Sequence, residues 1–161
     1  MSGVPYIAVV GAGEASRWEI DQAEEVERLL GRSGAVLICG GLGGVMHAAA
    51  RGSRSEGGVS IGILPGDDRG PGSPHLTVAI PTALGEARNA LVVRAADAVI
   101  AVGGEFGTLS EIAFALRIGK PVFGLDTWQL AKRGRPVEAI VNASSAAEAV
   151  SLALQGMPPD V

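Results

Sequence analysis

A chain of 161 residues that is 47% hydrophobic but only 4% aromatic, with 24 glycines, fits one α/β domain with a sizeable core and tight strand-to-helix turns. A formal charge of −4 and the lack of a Lys/Arg cluster argue against nucleic acid as a main partner. No apolar run approaches the ~20 residues needed to span a bilayer, and the N-terminal stretch lacks the regions of a signal peptide. The one cysteine, Cys39, leaves no intrachain disulfide or cysteine metal cluster. The expectation is a soluble, cytoplasmic chain.

Tyr6-Ile-Ala-Val-Val10 reads as the first strand and runs into Gly11-Ala-Gly13 and a turn through Ser16. Asp21 to Leu30 has helical spacing, with Ala23, Val26, Leu29 and Leu30 on one face and Glu24, Glu25, Glu27 and Arg28 opposite. Gly31 and Gly34 end it. Ala35 to Cys39 is the second strand, with Cys39 expected as a small core residue. It runs into Gly40-Gly-Leu-Gly-Gly44, which opens a small-residue helix from Val45 to Arg51. The third strand is Val59 to Leu64. Pro65 to His75 has surface-loop composition; its Asp67-Asp68 pair reads as a solvated turn, and no metal is assigned.

Leu76 to Ile80 is expected as a fourth strand, Leu84 to Ala96 as a helix and Ala98-Val-Ile-Ala-Val102 as a buried fifth strand. Pro121 to Leu125 reads as the last strand, followed by a closing helix over Ser145 to Leu154 and a frayed tail from Met157 to Val161. Strands alternating with helices predict a three-layer, Rossmann-like α/β fold, a mostly parallel sheet with helices on both faces. Ligands in such a fold sit beyond the carboxyl ends of the strands, where the glycine turns gather.

The strongest local signal is Gly103-Gly-Glu-Phe-Gly-Thr-Leu-Ser-Glu111, placed between the fifth strand and the helical run Ile112 to Ile118. Unsatisfied N–H groups and the positive end of a helix dipole would converge there, which suits an anion. Gly103, Gly104 and Gly107 would let a phosphate approach the main chain, and Thr108 could add a hydroxyl. The same residues also read as a structural capping box, Thr108-x-x-Glu111. No Gly-Lys-Ser/Thr follows, so this is not a nucleotide-triphosphate loop.

Two other glycine turns, Gly11/Gly13 and Gly40/Gly41/Gly43, are candidates for further phosphate or nucleotide contacts. Gly40 to Gly44 reads equally well as a device for close helix packing. The first turn resembles a dinucleotide fingerprint, but its third glycine is Ser16, and the second strand ends without the acid that would bind ribose, which speaks against NAD. Arg88 lies three and four residues before Leu91 and Val92 and shares part of their inward stripe, so it needs an anionic partner: Glu86, Glu111 or a ligand. Arg94 faces the surface. His47 and His75 show no ligand-like spacing and receive no role.

Arg88, then Ala96-Asp-Ala-Val-Ile-Ala-Val102, then Gly107-Thr-Leu-Ser-Glu111 resemble the LOG family, long described as lysine decarboxylases. That family carries an Arg-Lys pair followed by Pro-Gly-Gly-x-Gly-Thr-x-x-Glu. The likeness covers roughly residues 6–128 and includes Gly40-Gly-Leu-Gly-Gly-Val-Met46 and Gly119-Lys-Pro-Val-Phe-Gly124. It implies hydrolysis of the N-glycosidic bond of a nucleoside 5′-monophosphate, of cytokinin type in the best-known members, to free base and ribose 5-phosphate. Arg88 and Glu111 match the family's catalytic pair; phosphate would lie on the Gly103–Thr108 turn, and no metal or other cofactor is required.

The chain departs from the pattern at three positions: Gly103 replaces the Pro, Glu105 the second Gly, and Asn89 the Lys. In these departures it looks more like a related branch that includes molybdenum cofactor carrier proteins. That branch implies a non-catalytic binder of a phosphate-bearing ligand such as molybdopterin. The resemblance also implies a homo-oligomer, dimer or tetramer, with a bound nucleoside monophosphate, phosphate or molybdopterin-type ligand.

Overall fold

Two of the apolar runs, Ile7 to Val10 and Ala98 to Val102, are buried on both faces because they lie side by side in the middle of a sheet. A computed structural model describes residues 3–156. Its elements are β1 (Tyr6–Gly11), α1 (Arg17–Arg32), β2 (Val36–Cys39), α2 (Gly44–Ser55), β3 (Val59–Leu64) and β4 (Val78–Pro81). A 3-10 turn (Gly85–Arg88) then leads into α3 (Asn89–Ala95). After it come β5 (Ala98–Val102), α4 (Phe106–Arg117), β6 (Val122–Leu125), β7 (Leu130–Lys132), β8 (Arg135–Val137), β9 (Ile140–Asn142) and α5 (Ala146–Gln155). The expected frayed tail, Met157 to Val161, lies outside the described residues.

The main sheet has seven strands in the order β4-β3-β2-β1-β5-β6-β9, all paired in parallel, and β7 and β8 form a separate antiparallel hairpin. From β1 the chain steps outward through β2, β3 and β4, then returns to β5 on the other side of β1. Helices α1, α2 and α5 cover one face, packing on Ile7, Val9, Leu37, Cys39, Ile100 and Val102. Helices α3 and α4 cover the other, on Ala8, Val10, Ile38, Val99 and Ala101. The result is the three-layer Rossmann-like architecture expected from the alternation of elements. Cys39 is fully buried, and burial pushes its thiol up to about 12. No helix among the described residues is long and apolar enough to cross a membrane.

Several details differ from the expected elements. Helix α1 begins at Arg17, because Ser16 caps it: Glu19 N–H donates to Ser16 Oγ (3.2 Å) and Ser16 N–H donates back to Glu19 Oε2 (2.7 Å). The expected helix over Leu84 to Ala96 is instead a 3-10 turn followed by a two-turn α-helix. Pro121 to Leu125 does not hold the last strand: β9 pairs with β6 beyond it. At three residues, with Val141 half exposed, β9 has too little apolar periodicity to stand out in the sequence.

Glu27 is the clearest correction. The amphipathic pattern places it on the outer face of α1, yet it is only 1% exposed. The reason is that α1 packs against α2 and α5 as well as the sheet, so its buried stripe is wider than one face. Gly52 of α2 has no room for a Cβ against the Glu24 backbone, which shows how tightly α1 and α2 meet. Arg28 stays outside, paired with Glu25 (2.6 Å). Glu27 Oε1 has no hydrogen-bond partner, and burial raises its carboxyl well above the usual carboxylate range.

A carboxyl whose folded pKa lies above its unfolded value of roughly 4.3 makes the folded state the stronger proton binder. Stability contributed by this group is therefore lost as pH rises through the window between those two values. Glu27→Met should stabilise the protein by about 1–3 kcal/mol, the cost of an orphaned buried polar group, with a larger gain at pH 8 than at pH 5. Urea unfolding midpoints at the two pH values check this; equal gains would show that Glu27 does not titrate across the range.

Candidate anion-binding cleft

The reversal of strand order falls between β1 and β5, and the turns that leave these two strands form the walls of a cleft. At the end of β1, a Cβ on Gly11 would lie 2.7 Å from the Val102 carbonyl oxygen and from the Val45 side chain, so a glycine is required there. Opposite, α4 begins at Phe106 with Glu105 as its N-cap, and no side chain caps its first turn. The amide donors at the start of α4 are left for something other than a protein side chain.

The cleft has a volume of about 250 Å³. Gly11 to Gly13 form one wall and Glu105, Gly107, Thr108 and Glu111 the other, closed at the back by Met46, Arg88 and Asn89. Both expected catalytic residues are present: Arg88 is 8% and Glu111 7% exposed. They make no direct ion pair. Arg88 donates to Asn89 Oδ1 and, through Nη2, to the Gly40 carbonyl oxygen (3.4 Å), while its Nε has no partner. Burial lowers the Arg88 pKa from its usual value, opposed mainly by the Glu111 charge. Burial likewise pushes the Glu111 carboxyl up to about 7, against the pull of Arg88.

The capping box read from Thr108-x-x-Glu111 is not formed. Because α4 starts at Phe106, Thr108 is already its third residue and Glu111 its sixth. The Thr108 hydroxyl is buried in a residue only 2% exposed and has no hydrogen-bond partner. Thr108 and Arg88 both line the cleft, and each carries a buried donor, Oγ1 and Nε, without a protein partner.

The remaining glycines separate into two groups. Gly40, Gly41 and Gly43 are not among the cleft-lining residues; they allow close approach behind it. Gly40 packs on Met46 and Arg88, and Gly44 (φ +58°) sits where a Cβ would run into the Ala12 carbonyl oxygen. Gly103 and Gly104 lie on the far side of their turn, with Glu19, Asp126, Thr127 and Trp128. There the Gly104 N–H donates to Glu19 Oε1 (3.2 Å), a contact 85 positions apart in sequence that no motif signals.

Other expectations divide similarly. Arg94 is on the surface, over the Phe114 ring at 5.4 Å. The Gly70 N–H donates to Asp68 Oδ1 (2.6 Å), the turn chemistry expected of that Asp pair. His47 and His75, unrelated by spacing, come together with ring centroids 4.9 Å apart, and His47 Nδ1 lies 3.0 Å from Ser73 Oγ. Their partner Ser73 pins the Pro65–His75 loop to the Gly40 turn, its N–H donating to the Gly41 carbonyl oxygen (2.8 Å). Phe106, the first residue of α4, is 76% exposed, with its ring centroid 5.5 Å from that of Trp128.

Fold and cleft together define a Rossmann-like α/β protein with a polar cleft at its strand-order reversal. The chain belongs to the SLOG cluster4 family, which it matches over residues 4–153. It is 45% identical over 119 residues to an uncharacterized protein of Archaeoglobus fulgidus, covering 74% of this chain and 78% of that one. Among solved structures it is similar to the molybdenum cofactor binding protein of the phototrophic bacterium Rippkaea orientalis: 33% identity, TM-score 0.86, covering 96% of this chain and 98% of the other. It is also similar to the molybdenum cofactor carrier protein of Chlamydomonas reinhardtii, at 29% identity and TM-score 0.80, over 95% and 98% of the two chains.

Loss of a capping threonine costs about 0.5–2 kcal/mol. Thr108 caps nothing, so Thr108→Val should change stability by less than about 0.5 kcal/mol or raise it slightly, since an unpaired buried hydroxyl is removed. Chemical denaturation of the two proteins measures this, and a loss above 1 kcal/mol would restore the capping role.

Proposed function

We propose that this protein is a binder and carrier of a small phosphate-bearing ligand with a heterocycle, of molybdopterin type. The observation that carries the reading is a cleft lined by Arg88 and Thr108 beside the uncapped start of α4, with Thr108 Oγ1 and Arg88 Nε buried and without a protein partner. Near-full-length similarity to two molybdenum cofactor proteins supports it.

A phosphate is the group that these donors fit. The first-turn amides of α4 and the helix dipole would hold its oxygens. Thr108 would donate a hydroxyl and Arg88 a charge-assisted bond through Nε. Gly11 to Gly13 would admit the ligand close to the main chain. Phe106, between the cleft-lining Glu105 and Gly107, would offer its exposed ring to the heterocycle. Molybdenum, where present, is part of the cargo. Glu105 at the mouth and Asn89 in place of a lysine leave the cleft less positive than in the LOG pattern, which suits reversible binding.

A second reading is favoured by one observation. Glu111, with its carboxyl near pH 7 beside Arg88, has the burial expected of a group acting on an oxocarbenium-like transition state. In that reading the protein hydrolyses the N-glycosidic bond of a nucleoside 5′-monophosphate, as the LOG resemblance implies, with phosphate on the same donors. Glu111 would then act on the ribose and Arg88 would orient it.

The two readings separate in one set of measurements. For the carrier, phosphate, AMP and a molybdopterin-containing ligand should each raise the melting temperature of the wild type, and no nucleoside monophosphate should release free base. Arg88→Met, which keeps the apolar stem, should weaken phosphate binding by about 10- to 100-fold, the range of one lost charge-assisted bond. Phe106→Ala should weaken AMP but not inorganic phosphate. Release of base that disappears in a folded Glu111→Gln protein would instead establish the hydrolase.

A further inference from the structure

Between β6 and β9 the chain does not cross the sheet through a helix; it runs out into the β7–β8 hairpin. The turn of this hairpin is Arg133 and Gly134, since Lys132 pairs with Arg135 across it. Both turn residues have positive φ, +52° and +74°, which matches the twist of a hairpin but disfavours an arginine. Residues 131–138 are all exposed, and the arm meets the core only at its base, through Trp128 and Leu130. Lys132-Arg133-Gly134-Arg135 is too short to make the chain basic, but folding gathers its three cations at one tip. Among the described residues none of the three forms an ion pair; the cations that do are Arg17, Arg28, Arg32 and Arg51. The register sets Lys132 directly opposite Arg135, and like charges so placed repel.

Side chains alternate along a strand, so Leu130 and Val137 share a face with Lys132 and Arg135. Two adjoining hollows follow the arm. One, of about 580 Å³, is lined by Lys132, Arg133, Arg135, Pro136 and Val137. The other, of about 440 Å³, includes Trp128, Leu130, Ile140 and Val141 in its lining and shares Pro136 and Val137 with the first. Val137 and Val141 are 41% and 47% exposed. A cationic tip thus continues into an apolar groove. We propose that the β7–β8 hairpin is a docking arm for a partner protein, taking an extended segment that carries both carboxylates and apolar side chains. The carboxylates would neutralise Arg133 and the opposed Lys132 and Arg135, and the apolar side chains would cover Val137 and Val141. A nucleic acid fits less well: residues 131–138 hold no aromatic ring to stack on a base, and Glu138 adds a carboxylate to the groove. The arm is separate from the cleft, whose lining includes none of these residues.

Fluorescence anisotropy at low salt tests this with a labelled ten-residue peptide of alternating Glu and Val. The comparison probes are the same peptide with Lys for Glu, one with Ser for Val, and a ten-residue oligothymidylate. The arm variants are the double substitution Lys132→Gln with Arg135→Gln, and Arg133→Gly, which suits the positive φ and should fold. Arg117→Gln with Lys120→Gln removes two cations elsewhere, at the end of α4, and thermal melts confirm that each variant is folded. The wild type should bind the Glu-Val peptide about fivefold or more tighter than the Lys-Val peptide and the oligonucleotide, and about threefold tighter than the Glu-Ser peptide. The double arm variant should weaken that binding by about fivefold or more and Arg133→Gly by about two- to threefold, with the α4 control within about twofold of wild type. A wild type that does not bind the Glu-Val peptide, or that binds the Glu-Ser peptide equally well, overturns the docking arm. So does binding unchanged in the arm variants, or an equal loss in the α4 control. Tighter binding of the oligonucleotide, lost in the arm variants, overturns the protein partner in favour of a nucleic acid.

Discussion

The ligand end of this protein depends on the parallel pairing of β1 with β5. Their register runs from Ile7 opposite Ala98 to Gly11 opposite Val102. It is anchored at the other end by Asp97, whose N–H donates to the Tyr6 carbonyl oxygen (2.7 Å) and whose carboxylate accepts from the Tyr6 N–H (2.9 Å). Because the chain completes β2, β3 and β4 before returning, the helices that follow β1 and β5 leave to opposite faces of the sheet. Their diverging starts open the crevice. The strands can meet this closely at their carboxyl ends because Gly11 carries no side chain against Val102.

Within that crevice the opposite charges do not pair with each other. Arg88 and Glu111 are both nearly buried, and each shifts the pKa of the other, yet they form no ion pair. Leaving opposite charges desolvated and apart works against stability. The structure tolerates it because Arg88 is steadied by Asn89 and the Gly40 carbonyl oxygen, and because Glu111 takes up a proton near pH 7. Glu105 and Glu111 line the same cleft as this cation.

How far the sequence could be read differs from element to element. The central strands were legible because burial on both faces demands uninterrupted apolar runs, as in Ala98 to Val102. Helix α5 was legible because Ser145 caps it and small residues repeat along one side. Arg88 and Glu111 stood out because a charge on an apolar stripe and an acid behind a glycine turn are both conspicuous. Glu27 was misread because a helical wheel assumes one buried face, and α1 has three neighbours. Thr108 was misread as a possible cap because Ser/Thr-x-x-Glu has the same spelling wherever a helix starts; the true box lies at Ser16 and Glu19.

The alternation of strands and helices as far as β6, the parallel sheet, the two charged residues Arg88 and Glu111 and the glycine turn beside them follow from the sequence, since each is written in local periodicity and residue type. Tertiary structure alone decided which side of that turn faces the cleft, that Thr108 is left without a partner, and that Glu19 occupies the Gly104 N–H. The physical reason is one of range. Hydrophobic spacing and turn chemistry act over a few residues, whereas the contact between Glu19 and Gly104 joins positions 85 apart and exists only once β1 and β5 have paired.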